Sequence, residues 1–268
     1  MKPILWSLSG AAALAICAAG CCKEAVSAPA LAKSDLSSLW VDVRPNSGEA
    51  ARRLLDPVVQ RYGGCRSYRD HGTVVARMTS ASGGSHAMEV SRFDTLFVRD
   101  VGLRFRFHDE QGRLRAAIWR RGDDTSMWHL GTTTKAPSIE HALAGARGVT
   151  GFASDIIPSL LMRLPVFTGE HAVLSGEPGL AGTTSTSCGK CWLLAFGSGT
   201  APPQFLLTVD ENARSIRRFQ AAMVVHRAAE STDAQTTSFG SEHLISYEPE
   251  IDLADEAALV RELAVQPW

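Results

Sequence analysis

Leu103-Arg104-Phe105-Arg106-Phe107 alternates apolar and charged residues without a fault. In an extended chain successive side chains point to opposite sides, so the leucine and both phenylalanines share one face and the arginines the other. The stretch therefore reads as a strand with one oily and one wet face. The same period of two recurs on either side, at 73–78, 88–98 and 114–119. Turn-forming residues separate the runs at Gly83-Gly84, Asp100, Glu110-Gln111-Gly112 and Gly122-Asp123-Asp124. Strands joined by turns this short pair antiparallel, which makes the block a meander of four strands.

Upstream, Ser47 precedes apolar positions Ala50, Leu54, Leu55, Val58, Val59 and Tyr62 at helical spacing. The run stops at Gly63-Gly64, and Pro57 is the one residue that argues for a kink. Downstream, 138–147 and 154–164 are helical in pattern and poor in charge, so another element must cover them. A second block of strands follows at 192–196, 205–209, 216–219, 222–226 and 243–247, and an amphipathic stretch at 252–263 ends the pattern. No fixed-period repeat divides the chain. This order gives an α+β fold: a strongly curved antiparallel sheet, a half-barrel of about nine to eleven strands, with helices on its concave face. Residues 47–268 are expected to form it as a single domain.

With 27 Lys+Arg against 28 Asp+Glu the formal charge is -1, too little field to hold a nucleic acid. Lys2 followed by an apolar, Ala-rich run to Ala19 has the form of an export signal over 1–20. Ala18-Ala19-Gly20-Cys21 is similar to a bacterial lipobox, which marks Cys21 for a lipid anchor with acyl chains such as palmitate. Two other fates stay open: cleavage after Ala32 by ordinary signal peptidase, and a retained apolar helix. Residues 21–46, rich in Ala, Ser, Lys and Pro after the cysteine, suit a flexible tether. Cys22, not Asp, follows Cys21, and in the lipoproteins this segment resembles that points away from the inner membrane and toward the outer.

Export implies an oxidising compartment, so Cys65, Cys188 and Cys191 are disulfide candidates, and Cys22 is a further free or bridging thiol. The Cys188-Gly-Lys-Cys191 spacing matches the thioredoxin redox motif, but Trp192-Leu-Leu-Ala-Phe196 after it reads as strand. The helix N-terminus that would activate the thiol is absent from the pattern. A zinc site would need further ligands that no second Cys-x-x-Cys or closely spaced His pair supplies. Ser187-Cys-Gly-Lys190 lacks the partner motifs of the penicillin-interacting enzymes, and no nucleophile elbow, P-loop or dinucleotide turn occurs. His71, His129 and His226 read as strand or turn residues, and Asp70 as a partner for Arg69 or a backbone amide. No enzyme activity, cofactor or metal is expected.

Several segments in order resemble one known group. They are Tyr62 with 65–74, 93–99 (Phe-Asp-Thr-Leu-Phe-Val-Arg), Leu103 to Phe107, Cys191-Trp-Leu-Leu194, Ile216-Arg-Arg-Phe219 and Tyr247-Glu-Pro-Glu-Ile251. Together they resemble the LolA, LolB and RseB group of bacterial lipoprotein carriers, receptors and sensors. The resemblance implies a periplasmic, non-catalytic protein whose sheet and helices enclose acyl chains of a lipid or an acylated protein. The lining expected from it is Phe97, Leu103, Phe105, Phe107 and Ile118 from the sheet, with Ile156, Ile157, Leu160, Leu161 and Met162 from the helices. Two alternatives accompany it. One is an interaction module of the sensor type with a filled cavity and an envelope protein as partner; the other is an enzyme acting on envelope components.

Overall fold

The computed structural model describes residues 47–80, 85–164, 177–186, 189–196, 205–227 and 237–265. The expected signal, Cys21, the tether and Cys188 lie outside the described residues. In chain order the elements are α1 (Gly48–Gly64), β1 (Ser67–Ser80), β2 (Ser85–Val98), β3 (Gly102–His108), β4 (Leu114–Arg121), β5 (Asp124–His129) and β6 (Thr132–Lys135). Then come α2 (Ile139–Thr150), α3 (Ile156–Leu161), β7 (Gly179–Thr186), β8 (Gly189–Phe196), β9 (Phe205–Asp210), β10 (Ile216–Arg227), β11 (Thr237–Ile251) and α4 (Glu256–Leu263).

The strands form one open antiparallel sheet of 11, in the order β6-β5-β4-β3-β2-β1-β11-β10-β9-β8-β7. Each half is a meander running outward from the middle. The two meanders are joined where β1 pairs with β11, from Tyr68 opposite Ile251 to Ser80 opposite Phe239. The sheet is not closed into a barrel, and with helices over one face it is the curved α+β half-barrel that the alternation predicts.

The faces separate as Leu103-Arg-Phe-Arg-Phe107 implies. Leu103, Phe105 and Phe107 join Phe97 and Ile118 in one buried cluster with Leu55, Val58 and Tyr62 of α1, Leu143 of α2, and α3. At 1.5–3 kcal/mol for each large apolar side chain buried, this cluster is the main source of stability. Gly72 sits where Phe93 crosses the sheet to meet Tyr247 edge-on at 5.5 Å. A Cβ there would lie 2.1 Å from the Phe93 ring, so only glycine fits.

The other face is not uniformly wet. Leu96 and Val98, on either side of inward-facing Phe97, pack under Leu259 and Leu263 of α4. Arg104, expected in water, is 5% exposed beneath that helix and donates to the Glu262 carboxylate at 2.6 Å and the Glu262 carbonyl at 3.1 Å. The reason is complementary charge: Glu262 also takes Arg69, and Glu256 takes Arg66. Thus α1 to α3 cover the inner face, while α4 lies on the opposite one.

Three departures concern strands. β5 and β6 extend the first meander beyond the four expected strands, β7 precedes the cysteine pair, and the segments expected at 216–219 and 222–226 are one strand, β10. α1 runs through Pro57 without a break. The disulfide expectation also changes: Cys65 and Cys191 carry free, buried thiols. The Cys65 thiol donates to the Tyr62 carbonyl at 3.1 Å, and that of Cys191 lies 3.6 Å from the Thr186 hydroxyl. β11, β10 and β9 separate β1 from β8. Cys65 caps α1 whereas Cys191 stands on β8, so the two thiols rest against different elements.

Candidate ligand pocket

The inner face changes character along the strands. Near α1 it is aromatic; toward the far ends of β1, β2 and β11, register sets Ser91 beside Val74, Glu89 beside Ala76, His243 beside Ala76, and Ser241 beside Met78. Over these rows lies a pocket of about 470 Å³. Its sheet wall is Val74, Ala76, Met78, Glu89, Ser91, Phe107, Phe205, Ser241 and His243, and its roof is the end of α2 and the turn after it, Arg147 to Val149 with Gly151 and Phe152. The size falls within the 300–1,000 Å³ typical of small-ligand sites.

The roof is built by a left-handed turn. α2 ends at Gly151, φ 56° and ψ 40°, whose N–H donates to the Arg147 carbonyl. A Cβ on Gly151 would lie 2.7 Å from His243 Nδ1, so glycine both makes the turn and lets the imidazole pack against it. Phe152 then meets the His243 ring edge-on at 5.5 Å. Arg147 donates from Nε to Asp155, whose carboxyl is 3% exposed. Desolvation raises the pKa of Asp155 although Arg147 opposes it. A 2.9 Å bond between the Thr150 and Ser154 hydroxyls completes the turn.

Ser241 and His243, two apart on β11 and so on one face, place Oγ 2.7 Å from Nε2. Nδ1 is buried with no hydrogen-bond partner, and burial holds the imidazole below its ordinary pKa. A serine beside a histidine has the first contact of a hydrolytic triad, and among the described residues no hydrogen-bond partner stands behind Nδ1 to orient the ring. The Ser241–His243 pair presents hydrogen-bonding groups to the pocket. Among the described residues no three His, Cys, Asp or Glu side chains cluster as metal ligands.

Of the residues expected to line a cavity, Phe107 lines this pocket. Phe97, Leu103, Phe105, Ile118, Ile156, Ile157, Leu160 and Leu161 lie in the packed core beside it, and Met162 packs against that core half-buried. Arg99, on the turn after β2, ties α1 to the end of α3. Its guanidinium donates to the carbonyls of Leu161 at 2.6 Å, Gly63 at 2.9 Å and Cys65 at 3.0 Å. His243, Ser241, Glu89 and Phe152 were not singled out as site residues in the sequence. Pairing of β1 with both β2 and β11, and the turn after α2, bring them together.

The chain is similar to a LolA superfamily protein from Nitrosomonas europaea, at 14% identity over 76% of this chain and 94% of that one, TM-score 0.31. It is also similar to an outer membrane lipoprotein-sorting protein domain from Vibrio parahaemolyticus, at 8% identity over 81% and 98%, TM-score 0.30. A third likeness is to MucB, at 14% identity over 79% of this chain and 62% of that one, TM-score 0.37. No family model matches the chain, and no curated protein matches its sequence. These likenesses concern fold and leave the choice of ligand to the pocket's own chemistry.

Proposed function

We propose that this is an exported, membrane-anchored protein that holds the acyl chain of a lipid or of an acylated protein, without chemical turnover. The observation that carries the reading is the 470 Å³ pocket between sheet and α2, walled by Val74, Met78, Phe107, Phe152 and Phe205. Apolar walls of this kind remove a hydrocarbon tail from water at roughly 25 cal/mol per Å². A longer chain is accommodated by displacing α3, which bares Ile156, Ile157, Leu160, Leu161 and Met162 together with Phe97, Leu103, Phe105 and Ile118. Cys21 is the proposed lipid anchor, at the periplasmic side of the outer membrane, and residues 21–46 are the tether to the domain.

A second reading, an envelope interaction or sensor module, is favoured by the close packing of those same core residues. Native mass spectrometry of the purified protein separates the two. Co-purifying lipid, released on organic extraction, supports the carrier; repeated absence of any bound ligand supports the sensor. Radiolabelled fatty acid tests the anchor: label is expected in the wild type and not in Cys21→Ala, and equal labelling removes Cys21 from the proposal.

A further inference from the structure

We propose that the pocket selects a single-chain amphiphile whose head carries an ammonium group, with Glu89 as its counter-charge. This rests on the acyl-chain reading and adds the chemistry of the head. Among the described residues three ionisable side chains line the pocket: Glu89, Arg147 and His243. Arg147 is already in an ion pair with buried Asp155. His243 has committed Nε2 to Ser241, and its other nitrogen faces the Gly151 turn, where a cation would have no partner. Burial also disfavours the imidazolium. Glu89 is exposed and, among the described residues, has no ion-pair partner.

Position matches charge. Glu89 stands on the row of Ala76 and His243, one row further along the strands than Val74 and Ser91. The small Ala76 leaves an open lane between the carboxylate and the histidine. A tail lying over Val74 and Phe107 therefore brings its head to Glu89, with the Ser241 hydroxyl across the lane. A carboxylate or phosphate head at the same place would meet an unpaired negative charge, whereas an ammonium meets a hydrogen-bond acceptor of opposite sign beside a low-dielectric wall.

The test is calorimetric titration of the purified protein with dodecylammonium, dodecyl maltoside and dodecanoate, each below its micelle concentration. Dodecylammonium is expected to bind about three- to tenfold more tightly than the maltoside, and dodecanoate more weakly than either. Added salt should shrink the spread. Glu89→Gln should bring the ammonium and maltoside affinities together, and Glu89→Lys should reverse the order in favour of dodecanoate. Glu89 is exposed on a strand, so neither change threatens folding. Equal affinities for all three probes, or an order unchanged in Glu89→Lys, overturn the head-group assignment while the pocket still binds chains. Failure of every probe to bind overturns the acyl-chain reading as well.

Discussion

The two faces of the sheet treat a carboxylic acid in opposite ways. On the inner face Asp70 is fully buried, accepting from the Tyr68 hydroxyl at 2.7 Å and the Thr95 amide at 2.9 Å. Tyr62, Tyr68 and Tyr247, the chain's 3 tyrosines, all interact with it. Among the described residues no cation pairs with it, and desolvation pushes its pKa up to about 7. On the outer face Glu262 is also partly desolvated, but Arg104 and Arg69 more than offset this and hold it below its ordinary value. The inner cover is thus fixed by oil and a few ties to backbone carbonyls, the outer one by opposed charges. An oily cover can slide or lift without leaving ions unpaired; a charged one is locked in register.

The comparison can be broken first by truncation. Leu161→Ala in α3 should cost ~2–5 kcal/mol in urea denaturation, because the main core cannot collapse around the gap. Leu259→Ala on the outer face should cost less, since its cluster is small. An outer loss equal to the inner would mean that the two covers are alike.

Asp70 gives the next effect. Its folded pKa lies above the unfolded value, so the native state binds more protons between about pH 4 and 7, and stability falls as pH rises through that window. The whole shift corresponds to roughly 4 kcal/mol. The wild type should be less stable at pH 8 than at pH 5 by the part of the shift that falls in that interval, and the difference should shrink in Asp70→Asn, leaving the smaller contributions of Asp155 and His243. A slope undiminished in the variant would place its origin elsewhere.

On the outer face, Arg104→Ala should cost ~1–2 kcal/mol at neutral pH, discounted because water reaches Glu262. Glu262 has a depressed pKa, so its stabilisation is present above about pH 4 and lost as pH falls. Arg104→Ala should therefore flatten the acid limb of the stability profile and leave the Asp70 limb intact. Smallest of all, Lys135→Ala on β6 removes the exposed bond to Asp124 and should leave the melting temperature unchanged within error.

What was legible in the sequence follows the same division. Leu103 to Phe107 disclosed the inner face because strict alternation on a half-buried strand is a local signal, and residues 138–164 disclosed the inner cover because apolar helices need one. β6 and β7 escaped notice because they are the sheet's two edges. The run 132–135 is exposed throughout, so burial imposes no period there. Arg104 misled because the alternation records polarity, not water: an arginine under a helix and an arginine in solvent look alike until Glu262 is placed beside it. Likewise His243 and Glu89 stand far apart in sequence and meet over Ala76 only through pairing on both sides of β1.

That central seam governs how the molecule comes to exist. The strand nearest the start of the domain waits for the strand nearest its end, so the two meanders present bare edges to each other until β11 has been made. Contacts of such sequence separation form slowly. The export proposed above would gain from that delay, and a chain cut short before Thr237 would be left as two unjoined ribbons open to aggregation.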